Sequence, residues 1–374
     1  MEMSVIITTI FHPKILESLS ANLERYSRIK DVEVIIIGDL KSHSETEAYT
    51  TRYAKNGFRF EYWNVPSQKQ WLKRFPDLDA IIPYNTDNRR NIGYLIAYER
   101  GRECIIALDD DNYPTEEDFF GQHGIVGKIA TLPTISSNSG WYNVCDMLEL
   151  EGDHRVYPRG YPYAKRWVKD EKSTITDAIG RVVVNAGLWL DDPDIDAVTR
   201  LNRPIKATGL RRYDHLVLDP STNCPFNTQN TAFHRDILPS YYYVVMGENL
   251  GGLKIDRYGD IWSSYLSRKV IDRMDDRVAF GKPLTIHRRH EHDLLKDLGQ
   301  EYWGMVLTNR LIELLSNITL TKRTYSECYI ELSEKLDMAI VDQSDVQDEV
   351  KRYFSKICAN MRIWVDVCSV LAKK

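Results

Sequence analysis

The sequence has no positive charge to spare: Lys and Arg number 49 against 54 Asp and Glu, for a formal net charge of −5. Without a broad positive field, general nucleic-acid binding is not expected, a local basic groove aside. No apolar run is long enough to span a membrane, and the short one in "MEMSVIITTIFHPK" has no basic leader before it. That stretch predicts a strand rather than a signal peptide. Cysteine is scarce and scattered (Cys104, Cys145, Cys224, Cys328, Cys358, Cys368), with no CxxC pair and no His at finger spacing. Neither a zinc module nor a disulfide framework is expected, and reduced thiols point to the cytoplasm. Repeats, low-complexity tracts and obvious linkers are also missing.

What is present is a chain of 374 residues with 43% hydrophobic content, enough for the core of one large domain or two ordinary ones. "SVIITTI" reads as a strand. In "PKILESLSANLERY", Ile15, Leu16, Leu19 and Leu23 recur on one helical face. "VEVIIIGD", "FRFEYWNV" and "ECIIALDDD" are further strands, with helices predicted at "QWLKRF" and "NIGYLIAYERG". This alternation predicts a parallel sheet covered by helices. Residues 130–290 are mixed, with strands expected in "GRVVVNAGLWL", "YYYVVM" and "LTIH". From about residue 300 the texture turns helical, and Val346, Val350, Phe354, Ile357, Met361, Trp364 and Cys368 step by three or four.

The strand "ECIIAL" ends in three consecutive carboxylates, Asp109, Asp110 and Asp111. Such a cluster costs repulsion and desolvation unless a cation neutralises it. It is similar to the metal-binding motif of nucleotide-sugar glycosyltransferases with one Rossmann-like domain, where hard oxygen ligands select Mn²⁺ or Mg²⁺. The competing reading is a solvated loop with an Asp cap. Asp39 ends an earlier strand, where it can accept a uracil or ribose hydrogen bond. Arg89 and Arg90 precede Gly93 at a helix start, where cations meet phosphates.

At "YPRGYPYAKRW", and onward through "VNAGLWLDDPDIDAVTRL", "PFNTQNTAFHRDIL", "RYGDIWSSYLSRKV", "LTIHRRHEHDLLKDLGQEYWGM" and "ECYIELSEKL", the chain resembles the UDP-arabinopyranose mutase family, the reversibly glycosylated polypeptides. The resemblance implies a GT-A type α/β domain over residues 1–300 that binds a UDP-sugar, with a C-terminal helical extension, 301–374, packed on it. It implies interconversion of UDP-L-arabinopyranose and UDP-L-arabinofuranose, with Arg159 as the reversibly glycosylated arginine and Arg166 as a second required one. Asp109, Asp111 and His287 would hold the ion, while Asp39, Arg90, Asp109 and Asp110 would bind the nucleotide. Asp260 matches the second acid of a pair whose first position is Gly259, and Asn112 and Arg288 are further departures.

A guanidinium is a poor nucleophile, so Arg159 needs a base: Asp260 first, with Asp191, Asp192 and Asp194 as alternatives. Trp189 and tyrosines 241–243 are expected in the core, and "RRHEH" (288–292) is expected as a metal cluster or, equally, a solvated or phosphate-facing patch. The helical tail leaves a homo-oligomer or a related subunit open as a partner. An acceptor-dependent glycosyltransferase and a non-catalytic nucleotide-sugar-binding subunit are the competing functions.

Overall fold

Strands β1 (Met3–Thr8) and β2 (Val32–Ile37) have apolar side chains pointing to both faces, so both faces must be covered. The computed structural model describes residues 1–168 and 171–373; residue 374 of the expected extension lies outside the described residues. Val5 and Ile7 on one face of β1 pack with Leu16, Leu19 and Leu23 of α1 (Ile15–Arg25), each at most 1% exposed. Burying each such side chain contributes about 1.5–3 kcal/mol relative to exposure. Ile6, on the other face, joins a larger core with the later helices. Next come α2 (Thr46–Lys55), β3 (Arg59–Trp63), α3 (Val65–Leu72), α4 (Pro76–Ile81), α5 (Arg90–Glu99) and β4 (Cys104–Leu108). Helices α2 and α4 were not expected from the sequence, and α3 ends at Leu72, short of "KRF". A Cβ on Gly93 would lie 2.3 Å from Ile6 Cγ2, so glycine is what lets α5 lie this close to β1.

β5 (Asn112–Pro114), α6 (Phe119–His123), β6 (Ile129–Ser137), β7 (Leu148–Leu150), β8 (Ser173–Asp191), α7 (Ala197–Asn202), β9 (Ala207–Leu210), β10 (His215–Leu218) and β11 (Asn230–His234) follow. Last are the small hairpin β12 (Asn249–Leu250) and β13 (Leu253–Lys254), α8 (Gly259–Arg273), β14 (Arg277–His287), α9 (Leu294–Asn317), α10 (Tyr325–Val341) and α11 (Asp348–Leu371). Among the described residues, twelve strands form one sheet in the order β3-β2-β1-β4-β11-β8-β6-β10-β14-β5, with β9 beside β8 and β7 beside β9. The expected parallel arrangement holds for β1 to β4. β11 then runs antiparallel to β4, which makes the sheet mixed.

"YYYVVM" forms no strand. Side chains satisfy its buried backbone instead: Asn91 bonds both the N–H (3.0 Å) and the carbonyl (2.8 Å) of Tyr243. Asn88 donates to the Val244 carbonyl at 3.0 Å, and Ser263 Oγ accepts from the Val244 N–H at 2.9 Å. A ladder is unnecessary once these groups are paired. α9 starts at Leu294, ahead of the boundary expected at 300, and α9, α10 and α11 share the larger core with α5 and α8. Trp364 donates to the Leu238 carbonyl at 2.8 Å within that core. No helix among the described residues is long and apolar enough to cross a membrane.

Candidate active site

The carboxyl ends of β1, β2 and β4 leave a crevice at one edge of the sheet, where ligands of open α/β sheets bind. Two cavities open there. The first, about 230 Å³, is lined by the triplet Asp109–Asp111 and by Arg90, Arg159, Asp194, Asp260 and His287, among others. The second, about 200 Å³ and less polar, includes Ile10, Phe11, Asp39, Thr86 and Arg89. Thr8, Asp87 and Asp110 line both.

In the triplet, each carboxylate has its own partner. Arg90, at the start of α5 and 2% exposed, forms an ion pair with Asp109 and donates to Thr228 O at 2.7 Å and Thr8 Oγ1 at 2.9 Å. Burial and the charge of Asp111 still push the Asp109 carboxyl up to about 7, against the pull of Arg90. Asp110 bonds Thr9 Oγ1 and lies 3.3 Å from His290 Nε2. Asp111 lies 3.4 Å from His287 Nε2; burial opposes its ionisation, but His287 and His290 hold its pKa below the usual carboxylate range. Ligand atoms of Asp110, Asp111 and His290 lie within 4.8 Å of one another, close enough to share one ion. The set expected from the sequence was Asp109, Asp111 and His287. Here Asp109 turns to Arg90, while His287, 4% exposed, also meets Asp192 O at 2.6 Å through Nδ1. His290 comes from "RRHEH", which also sends Arg289 and His292 to the cavity wall.

Arg159 is 6% exposed and lies between two carboxylates. Its Nε and Nη2 donate to Asp194 at 3.0 and 3.1 Å. Nη2 and Nη1 donate to Asp260 at 2.9 and 3.1 Å, and Nη1 also meets the Arg257 carbonyl. All five N–H groups of the guanidinium are thereby engaged. Although burial opposes its charge, the two aspartates raise the Arg159 pKa well above its ordinary value. In return, and again against burial, Arg159 holds the Asp194 carboxyl down at about 2. Asp260 sits in the first turn of α8, where Oδ1 also accepts the Ile261 N–H at 2.9 Å, so it is both helix-end acceptor and arginine partner. Of the alternative bases, only Asp194 reaches Arg159: Asp192 pairs with Arg200, and Asp191 lies at the β8–β14 pairing.

Arg166 does not line the cavity. It is ion-paired to Asp196, the N-cap of α7, and its guanidinium stacks 4.0 Å from the Tyr163 ring centroid. The further cations at the wall are Arg200, Arg257 and Arg289. They lie in stretches that carry the resemblance, and the fold brings them to one wall; Arg257 pairs with Glu301 (3.1 Å) and Arg289 with Asp297 (2.8 Å) on α9. Asp39 accepts from its neighbour's N–H, Leu40, at 2.7 Å and from Thr86 N at 3.3 Å, at the rim of the second cavity. Trp189, Tyr241, Tyr242 and Tyr243 are buried in the core as expected; Tyr243 in addition bonds Asp87 through its hydroxyl and lines the first cavity.

A family model described as "Reversibly glycosylated polypeptide" matches residues 2–372. The chain is similar to UDP-arabinopyranose mutase 2 of Arabidopsis thaliana, 28% identical over 293 residues, covering 77% of this chain and 73% of that one. It is also similar to UDP-arabinopyranose mutase 1 of the same species, 26% identical over 369 residues, covering 98% of this chain and 91% of that one. Among solved structures it is similar to glucosyl-3-phosphoglycerate synthase from Mycobacterium tuberculosis in complex with Mn²⁺, UDP and phosphoglyceric acid. That likeness has a TM-score of 0.41 and 14% identity, over 85% of this chain and 79% of that one. On the match along almost its whole length, the chain belongs to the reversibly glycosylated polypeptide family.

Proposed function

We propose that the chain is a UDP-sugar mutase that interconverts UDP-L-arabinopyranose and UDP-L-arabinofuranose with the help of Mn²⁺ or Mg²⁺. One observation carries this reading: the aspartate triplet and a buried arginine gripped by two further aspartates meet in a single cavity. The donor set fits a divalent ion, because Asp110, Asp111 and His290 converge, and the burial and carboxylate repulsion that raise Asp109 are what a cation offsets. Asp109 and His287 stand beside that set. Such an ion, when bound, supplies charge neutralisation for a pyrophosphate leaving group.

The chain's own residues do the rest. Arg90, Arg200, Arg257 and Arg289 place guanidinium groups on the wall to meet a diphosphate. Asp39 and Arg89 serve the nucleoside at the second cavity. Arg166, tied to Asp196, is a positioning residue for the loop that carries Arg159.

For Arg159 to take the sugar, one of its N–H bonds must release its proton to Asp194 or Asp260 as the N–C bond forms and the C–O bond to UDP breaks. Both carboxylates already accept from that guanidinium, so a proton acceptor is in place. Ring opening, reclosure through another hydroxyl and return of UDP complete the exchange, and the proton goes back to Arg159. The free, buried cysteines fit a cytoplasmic setting, and the exposed Met338, Val341 and Val370 fit a homo-oligomer or related-subunit contact on α10 and α11.

Incubation with UDP-L-arabinopyranose, read by chromatography and intact mass, tests the proposal. Expected are the furanose form without net loss of UDP-sugar, a pentose adduct on the protein, and loss of both in Arg159→Ala. UDP release that requires an acceptor would make the chain a transferase instead.

A further inference from the structure

Outside the triplet, the first cavity has three carboxylates in its wall: Asp87, Asp194 and Asp260. Two of them are spent. Asp194 accepts from Arg159 at both oxygens and from Asn227 at 2.7 Å; Asp260 accepts from Arg159 at both oxygens and from Ile261 N. Asp87 is different. Its Oδ2 accepts the Tyr243 hydroxyl, while among the described residues its Oδ1 has no hydrogen bond and the residue is open to the cavity.

Position 259, one residue before Asp260, has no side chain, and this backbone leaves no room for one unless a neighbour shifts. A Cβ there would lie 2.4 Å from the Val244 carbonyl oxygen and 2.9 Å from the Tyr243 ring. The ring that occupies this space is the one whose hydroxyl holds Asp87. An acidic side chain at position 259 would therefore have to displace one of these groups, and the Tyr243–Asp87 pair stands in its stead. A carboxylate oxygen would repel the diphosphate, which finds its cations elsewhere on the wall, but it is a strong acceptor for a hydroxyl.

We propose that Asp87, fixed by Tyr243, is a sugar-binding residue that accepts a hydrogen bond from a hydroxyl of the sugar in a nucleotide sugar. The inference rests on the reading of this cavity as a UDP-sugar site, and it assigns the sugar's selection to a side chain from the loop before α5 rather than to α8.

Calorimetric titration with UDP and with UDP-L-arabinose, each with Mn²⁺, tests it on wild type, Asp87→Asn and Tyr243→Phe. Expected is a loss of about 10- to 100-fold in affinity for UDP-L-arabinose in Asp87→Asn, with UDP unaffected. Tyr243→Phe, which keeps the ring but frees the carboxylate, loses less for the same ligand and nothing for UDP. Because Asp87 borders both cavities, equal losses for UDP and UDP-L-arabinose would assign it to the nucleoside and overturn the proposal. Unchanged affinity of both variants for UDP-L-arabinose would overturn it as well. If wild type binds UDP-L-arabinose through Asp87 but forms no furanose, the mutase reading falls and this one stands.

Discussion

Replacing Asp194 with Asn tests the grip on Arg159 through stability, independent of turnover. The pair is 7% and 6% exposed at the side chains, so solvent screens it little. The folded pKa of Asp194 is depressed from 3.8 to about 2. A depressed carboxylate contributes stability above its unfolded pKa, and that contribution is lost as pH falls through 3.8 toward 2. A shift of this size is worth about 2–3 kcal/mol at pH 7, and about half of that remains at pH 3. Asn keeps the shape and one acceptor but cannot titrate. Urea unfolding of wild type and Asp194→Asn, repeated between pH 7 and pH 3, should show the variant less stable by about that amount at neutral pH, with the gap narrowing in acid. A gap that is absent, or constant over the range, would refute the argument that Arg159 and Asp194 are held together as a buried ion pair.

Asp111→Asn should weaken Mn²⁺ binding in the presence of UDP by at least about tenfold, measured from the electron paramagnetic resonance signal of free Mn²⁺; undiminished binding would remove Asp111 from the ion's ligands. Gly259→Ala should destabilise the fold by about 1–3 kcal/mol, because its Cβ meets a backbone carbonyl rather than a pliable side chain. A thermal melt at or above the wild-type midpoint would show that Val244 gives way easily.

The central strands of the first hundred or so residues were readable because β1, β2 and β4 are buried on both faces, and burial on both faces writes continuous apolar runs. The first half of β8 was not readable. Ser173–Gly180 pairs with β6 mostly in the open, where "STITDAIG" needs no apolar alternation. "YYYVVM" has strand composition but lies where Asn88, Asn91 and Ser263 satisfy its backbone, and propensity does not register partners this far along the chain. At the site, the triplet and Arg159 take their roles from their motifs; Arg200, Arg257 and Arg289 also lie in stretches that carry the resemblance, but their convergence with Asp87 on one wall depends on the fold. Arg166 shows the converse: it lies within a motif, yet its guanidinium is directed to Asp196 and not into the cavity.

The backbone of Tyr243, which lines the cavity, and of Val244 beside it is held by three short polar side chains on neighbouring elements. Such a surface is adjustable from behind: exchanging Asn88, Asn91 or Ser263 would tilt Tyr243 and Val244 while leaving every ligand-facing group chemically intact. Diversification of sugar preference could thus proceed through residues that no substrate ever touches.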